Sequence, residues 1–173
     1  MRTNLKTARL LLLGLWLGAA VFFGAAVAPN VFAVLRGAHV SNANEIAGTI
    51  ITRLLSIINI SGCAIALFGI ATAYFVQADQ SRRSRSVEVI SLAIMAMMTG
   101  VSNWVISARM LALRAAMQTP IDLIARDDPR RVAFDSLHRY SVAVMGVAVI
   151  AALIVFLLIS IQSLRLARQA GSR

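Results

Sequence analysis

The sequence predicts an all-α integral membrane protein, a bundle of four transmembrane helices, and three observations carry that prediction. Apolar residues make up 59% of the 173 positions and charged residues 14%, against roughly 45–50% and about 25% in soluble domains. Mean hydropathy is +0.79. Four runs, at 10–35, 54–78, 89–108 and 140–164, contain no Asp, Glu, Lys, Arg or His. A disordered tail, a disulfide scaffold and an ordinary soluble enzyme are excluded by these numbers. Cys63 is the only cysteine, which removes internal disulfides, paired-cysteine zinc sites and CxxC redox centres.

A hydrocarbon core about 30 Å thick needs ~20 residues at 1.5 Å each. All four runs meet that length. They do not alternate polar with apolar, as barrel strands would, so helices that satisfy their own backbone groups are expected. We place the spans at 10–33, 50–77, 88–112 and 139–163 within one domain, 1–173. Ahead of the first run, Arg2, Lys6 and Arg9 resemble the basic region of a signal peptide, and Ala26-Val27-Ala28 resembles a cleavage site. The apolar stretch is too long for a signal peptide, and Pro29 would follow the cut, so a retained span is expected. Asn44 and Glu45 suit the first turn of the second helix. Asp128-Pro129 reads as N-cap and first residue of the fourth. That helix would run to about Arg168, roughly 60 Å and twice the hydrocarbon core. Helix three, continuing to about Met117, also overshoots. The two are therefore expected to extend beyond the bilayer on the outer side, joined through 118–127.

The 17 Lys and Arg against seven Asp and Glu give a net charge of +10. Clusters at Arg2/Lys6/Arg9, Arg82/Arg83/Arg85 and Arg165/Arg168/Arg173 fall on one side of a four-span chain, so an N-in/C-in orientation is expected. The other side holds Arg36, Arg126, Arg130 and Arg131, which weakens the bias. The charges flank apolar runs, where anionic lipid headgroups lie. No nucleic-acid motif occurs, and no nucleic-acid partner is expected.

Gly14, Gly18 and Gly24 line the first span at intervals that let helices pack closely, within the bundle or in a homo-oligomer. Thr52, Ser56, Asn59 and Cys63 share one arc of helix two. Thr99, Asn103, Ser107, Met110 and Arg114 share one on helix three, and helix four offers His138, Ser141 and Met145. Such stripes face the bundle interior and hydrogen-bond between helices, or line a ligand path. Arg53 and Arg109 lie one or two turns from the outer ends of their spans, within snorkelling reach of headgroups. If they converge with Arg114 and His138, they form a positive site for an anion, a lipid phosphate or a carboxylate. Glu45 and Asp135 are the acids available to pair with them. The ligand-binding candidates are thus Arg53, Asn59, Asn103, Arg109, Arg114, His138 and Ser141. His138 as a haem ligand is a further alternative. No catalytic constellation or metal-ligand spacing occurs, and neither catalytic residues nor a cofactor are expected.

Several landmarks carry a family resemblance: LWLGAAVFFGAAVAPNVF from Leu15 to Phe32, Ala47-Gly48, SARMLALR from Ser107 to Arg114, and FDSLHRYS from Phe134 to Ser141. In their order and spacing the chain resembles, over about 11–158, the four-helix family of transmembrane protein 205, whose bacterial members are labelled a domain of unknown function. The matching positions are Trp16, Pro29, Gly48, Arg109, Arg114, Phe134, His138 and Ser141. The chain departs from the family pattern at Ala108, where proline is expected, and at Met145, where asparagine is expected. The first departure implies a straighter third helix and the second a less polar bundle core. The resemblance implies a small membrane protein with a role in transport or stress tolerance, placed in a bacterial inner membrane. The expected function is a non-enzymatic multi-pass protein, a transporter or ligand-binding permeation element. A homo-oligomeric structural subunit and a haem-binding redox protein are the alternatives.

Overall fold

Pro29 shapes the first transmembrane helix. A proline ring inside a helix collides with the carbonyl four residues earlier, here that of Ala25. The chain relieves the clash by widening. Helix α1 (Arg2–Phe22) passes through a π-turn at Phe23–Val27 into α2 (Ala28–Gly37), and the Ala28 N–H reaches back five residues to the Phe23 carbonyl. The computed structural model describes residues 2–76 and 81–171, with side chains from 4 to 73 and 81 to 164. Residues 77 and 78 of the second apolar run, and the side chains of Arg2, Arg165, Arg168 and Arg173, lie outside that description.

Helix α3 (Ala43–Val76) is continuous. A second π-turn at Val101–Ile106 joins α4 (Arg82–Gly100) to α5 (Ser107–Met117). No proline drives this one, since Ala108 stands where the family pattern has one. Instead Ser107 bonds the Ser102 carbonyl twice, through its backbone N–H and through its hydroxyl at 2.9 Å. A local hydroxyl thus stabilises the same widening that proline forces elsewhere. Gln118, left-handed at φ 56, ends α5. A short 3-10 turn at Ile121–Leu123 then leads to α6 (Pro129–Gly171).

Four helical stretches, Asn4–Gly37, Ala43–Ala73, Arg82–Met117 and Pro129–Leu164, are long and apolar enough to cross a membrane. They pack in a ring, α1 against α3, α3 against α4, α4 against α6 and α6 against α1. Large apolar side chains such as Leu15, Ile57, Ile90 and Ile150 are exposed on the outside of the bundle. That arrangement suits lipid and would be costly in water.

The two ends of the bundle differ. At the end holding the chain termini, here the terminal end, small residues Ala66, Ala148, Ala151 and Ala152 let α3 and α6 close around Leu13, Trp16, Leu92, Met95 and Val155. Trp16 lies flat on Gly62, where an added Cβ would fall 2.7 Å from the indole, and its N–H donates to the Ile58 carbonyl at 2.8 Å. Helix α1 is therefore a working member of the core. At the other end, the loop end, α2 keeps its packing on α3 but makes almost none on α6.

Candidate functional site

The diverging helices leave a cavity of about 680 Å³ at the loop end, between α2, α3, α5 and α6. Its apolar walls are Phe23, Phe32, Ile51, Leu55, Val142 and Met145, and Pro29 contributes its ring. Its polar groups include Arg36, Arg114, Arg126, Arg131, His138, Ser107 and Ser141, with Asp135 the acid among its lining residues. The space is amphipathic: aliphatic and aromatic toward the bundle, cationic toward the loops.

Arg114 is held by several weak contacts. It faces Glu45 at 3.6 Å, donates to the Thr49 hydroxyl at 3.3 Å and lies over the Phe134 ring at 5.3 Å. Gly48 makes room for it, since an added Cβ would lie 1.9 Å from Arg114 Nη2. The Arg114 Nε is buried without an acceptor. Its hydrogen-bonding capacity is therefore only partly used beside the cavity.

The connection above the cavity is tied down from both sides. Arg131 donates to the Ile121 carbonyl at 3.1 Å and to that of Ile124. Arg130 reaches the Ala116 carbonyl at 3.1 Å, near the end of α5. Asp128 caps α6: its carboxylate accepts from the Arg130 N–H at 2.8 Å and from the Arg130 guanidinium. Mainly through that side-chain hydrogen bond, the Asp128 carboxyl is lowered from 3.8 to about 2, and the Arg130 guanidinium is raised in turn. Asp122 accepts from Asn44 and from the Glu45 N–H at 3.2 Å, placing an anion on the first turn of α3. The capping oxygen expected from Asn44 is thus supplied by the distant loop, with Asn44 as donor. Glu45 accepts from the Ile121 N–H at 3.4 Å.

The expected site residues separate into four places. Arg114, His138 and Ser141 share the cavity. Arg53 and Asn103 line a second space, a groove of about 480 Å³ between α3 and α5 that also touches Arg114. Asn59, fully buried, donates to the Ser102 hydroxyl at 3.0 Å, and Ser56 donates to Asn103 at 2.8 Å, so the two polar stripes meet each other. Arg109 is exposed and lines neither space. Arg53 and Arg109 therefore do not share the cavity with His138. Of the small residues, Gly14 meets Phe156, while Gly18 and Gly24 face open space.

Sequence reasoning missed Phe23, Phe32 and Arg36 as walls, since nothing local marks which face of α2 turns inward after a π-turn. It also missed an ion pair. Arg9 donates to Glu88, and the two side chains are 1% and 0% exposed. Glu88 is the first residue of the third expected span, one ahead of an uncharged run, near the terminal end of α4. Among the described residues, no group of three or more His, Cys, Asp or Glu could hold a metal ion.

Four apolar membrane-length helices around an amphipathic cavity define the class: an integral membrane protein with a ligand-sized internal space. Within that class the chain belongs to the family described as a domain of unknown function, DUF4149, whose pattern matches residues 11–119. The match ends before α6, so the FDSLHRYS segment lies beyond it. No curated protein and no solved structure matches the chain.

Proposed function

We propose that this protein binds an anionic amphiphile in the loop-end cavity and acts as a non-enzymatic binding or permeation element of the membrane. The observation that carries the reading is the make-up of the cavity, an apolar floor beneath Arg36, Arg114 and Arg126 with Asp135 as the opposing acid. A volume of about 680 Å³ falls within the roughly 300–1,000 Å³ of small-molecule sites. Guanidinium groups match carboxylate and phosphate in geometry, and a bidentate pair adds specificity to the attraction. A fatty acid or phospholipid presents both halves of such a ligand. In the N-in/C-in orientation, the cavity opens toward the outer leaflet, with α5 and the start of α6 among its walls. The kinship with transmembrane protein 205 and placement in a bacterial inner membrane belong to the same proposal.

Native mass spectrometry of protein extracted gently from its own membrane tests the binding. An anionic lipid or fatty acid should remain attached, and Arg126→Ala combined with Arg36→Ala should release it without lowering thermal stability. Wild-type protein that arrives bare, with its fold intact, would refute the reading.

A further inference from the structure

We infer a second lipid site: the groove between α3 and α5 holds the headgroup of an anionic phospholipid from the surrounding leaflet, and it leads to the cavity. Only the last clause rests on the proposed function of the cavity.

Arg53 projects from α3 among Leu54, Ile57 and Ile60, all exposed on the outward side. It makes no hydrogen bond or ion pair with any described residue. A guanidinium on a lipid-facing surface needs an anion or a route to water. Arg53 lies ten residues past the start of α3 at Ala43, about 15 Å along the axis. Helix α3 has 34 residues, or about 50 Å, and overhangs a 30 Å core by roughly 10 Å at each end when centred. Arg53 is then about one turn below the headgroups, within snorkelling reach of a phosphate.

The groove beside it is concave and holds about 480 Å³. Its lining includes no acid. Its floor is the Ser56–Asn103 hydrogen bond at 2.8 Å, and its outer edge is Trp104, 60% exposed. An amphipathic indole at this level is a common membrane-interface residue. A snorkelling anchor needs only a surface. Arg53 instead flanks a hollow whose far wall is a second arginine, Arg114, with a buried Nε that lacks an acceptor. One guanidinium without a described partner, beside a hollow that opens among apolar side chains and whose other arginine already faces Glu45, suits a bilayer phospholipid better than a free anion.

The groove also adjoins the cavity. Thr52, Ser107 and Arg114 line both spaces. The Arg114 side chain crosses between them over Gly48, on contacts of 3.3 and 3.6 Å. A lipid in the groove is therefore one side chain away from the cavity.

The chain's two tryptophans supply the test. Trp16 is 3% exposed in the core, and Trp104 is at the groove. In nanodiscs, phosphatidylglycerol with brominated acyl chains should quench Trp104 fluorescence with a relative association constant roughly fivefold above brominated phosphatidylcholine, the advantage expected of one arginine near the surface. Arg53→Ala should abolish the preference while leaving thermal stability unchanged. Trp104→Phe should remove the selective signal altogether. Equal quenching by the two lipids, or a preference that survives Arg53→Ala, overturns the site. Exchange of cavity-bound lipid, followed by mass spectrometry, should slow in Arg53→Ala with the bound amount unchanged. An unchanged rate overturns the connection. Wild-type protein without cavity lipid but with the Arg53-dependent preference refutes the cavity reading and leaves the groove as a site of its own.

Discussion

Arg9 has the features of an anchoring residue in the sequence, a third cation ahead of an apolar run, yet it is buried against Glu88 across 79 positions. Its Nε and Nη1 find no acceptor, so the carboxylate offsets most of the cost of burying the guanidinium. Removing one partner leaves the other charged in a low-dielectric interior, which typically costs about 3–5 kcal/mol. Replacing both with apolar groups removes the desolvation cost together with the attraction. Glu88→Gln should therefore lower unfolding free energy in detergent by about that amount, and Arg9→Met with Glu88→Met should restore most of it. If Glu88→Gln unfolds at the wild-type midpoint, the pair carries no such weight. This contact was not legible in the sequence, because one partner resembles a topogenic cation and the other lies at an apolar run's edge. Arg114 was legible: it falls on a polar arc, and its environment includes the Glu45 foreseen as a partner. The role of Gly48 beneath it is visible only when α3 and α5 are placed side by side.

Helix starts and π-turns decide where the loop end opens. The Asp128-Pro129 signal marks the start of α6, since proline needs no N–H partner at the first helical position. The Asp128 carboxyl is lowered from 3.8 to about 2, first by the Arg130 side chain and then by its backbone N–H. A carboxyl depressed on folding contributes stability above its unfolded value and loses it as pH falls through its folded one. Asp128→Asn should therefore flatten the part of the wild-type loss in melting temperature that falls between about pH 4 and 2, and identical profiles would show the cap is not coupled to folding. The π-turns were not legible, although Pro29 was in plain view, because a proline predicts a break or kink without saying how the chain absorbs it. The turn at Phe23–Val27 inserts one extra residue and so rotates α2 by about 100° relative to a regular helix. Deleting exposed Ala25 together with Pro29→Ala should return the helix to regular register and turn Phe32 and Arg36 away from the cavity. We expect the variant to keep its helical content and lose its co-purified lipid; full retention would show that the π-turn does not shape the site.

The whole molecule is asymmetric along its axis, with a close-packed core at the terminal end and an open, cationic cavity at the loop end. The four-helix architecture was legible because its signals are long: uncharged runs of membrane length need no tertiary information. The asymmetry was not, since it depends on which of two neighbours a helix leaves after a π-turn. It matters for function because the leaflet in which the cavity opens is set by orientation. Lys6 and the arginines at 2, 9, 82, 83, 85, 165 and 168 belong to the terminal end, while Arg36, Arg126, Arg130 and Arg131 lie at the loop end. Basic residues in short loops act during insertion, before Arg9 meets Glu88 or Arg131 meets its carbonyls, so their final contacts do not lessen their weight. The terminal end should therefore face the cytoplasm. With Cys63→Ala as background, an impermeant maleimide applied to intact cells should label Ser41→Cys, exposed between α2 and α3, and should label Ser81→Cys only after permeabilisation. The reverse pattern would place the cavity in the inner leaflet, where any anionic ligand would come from the cytoplasmic pool.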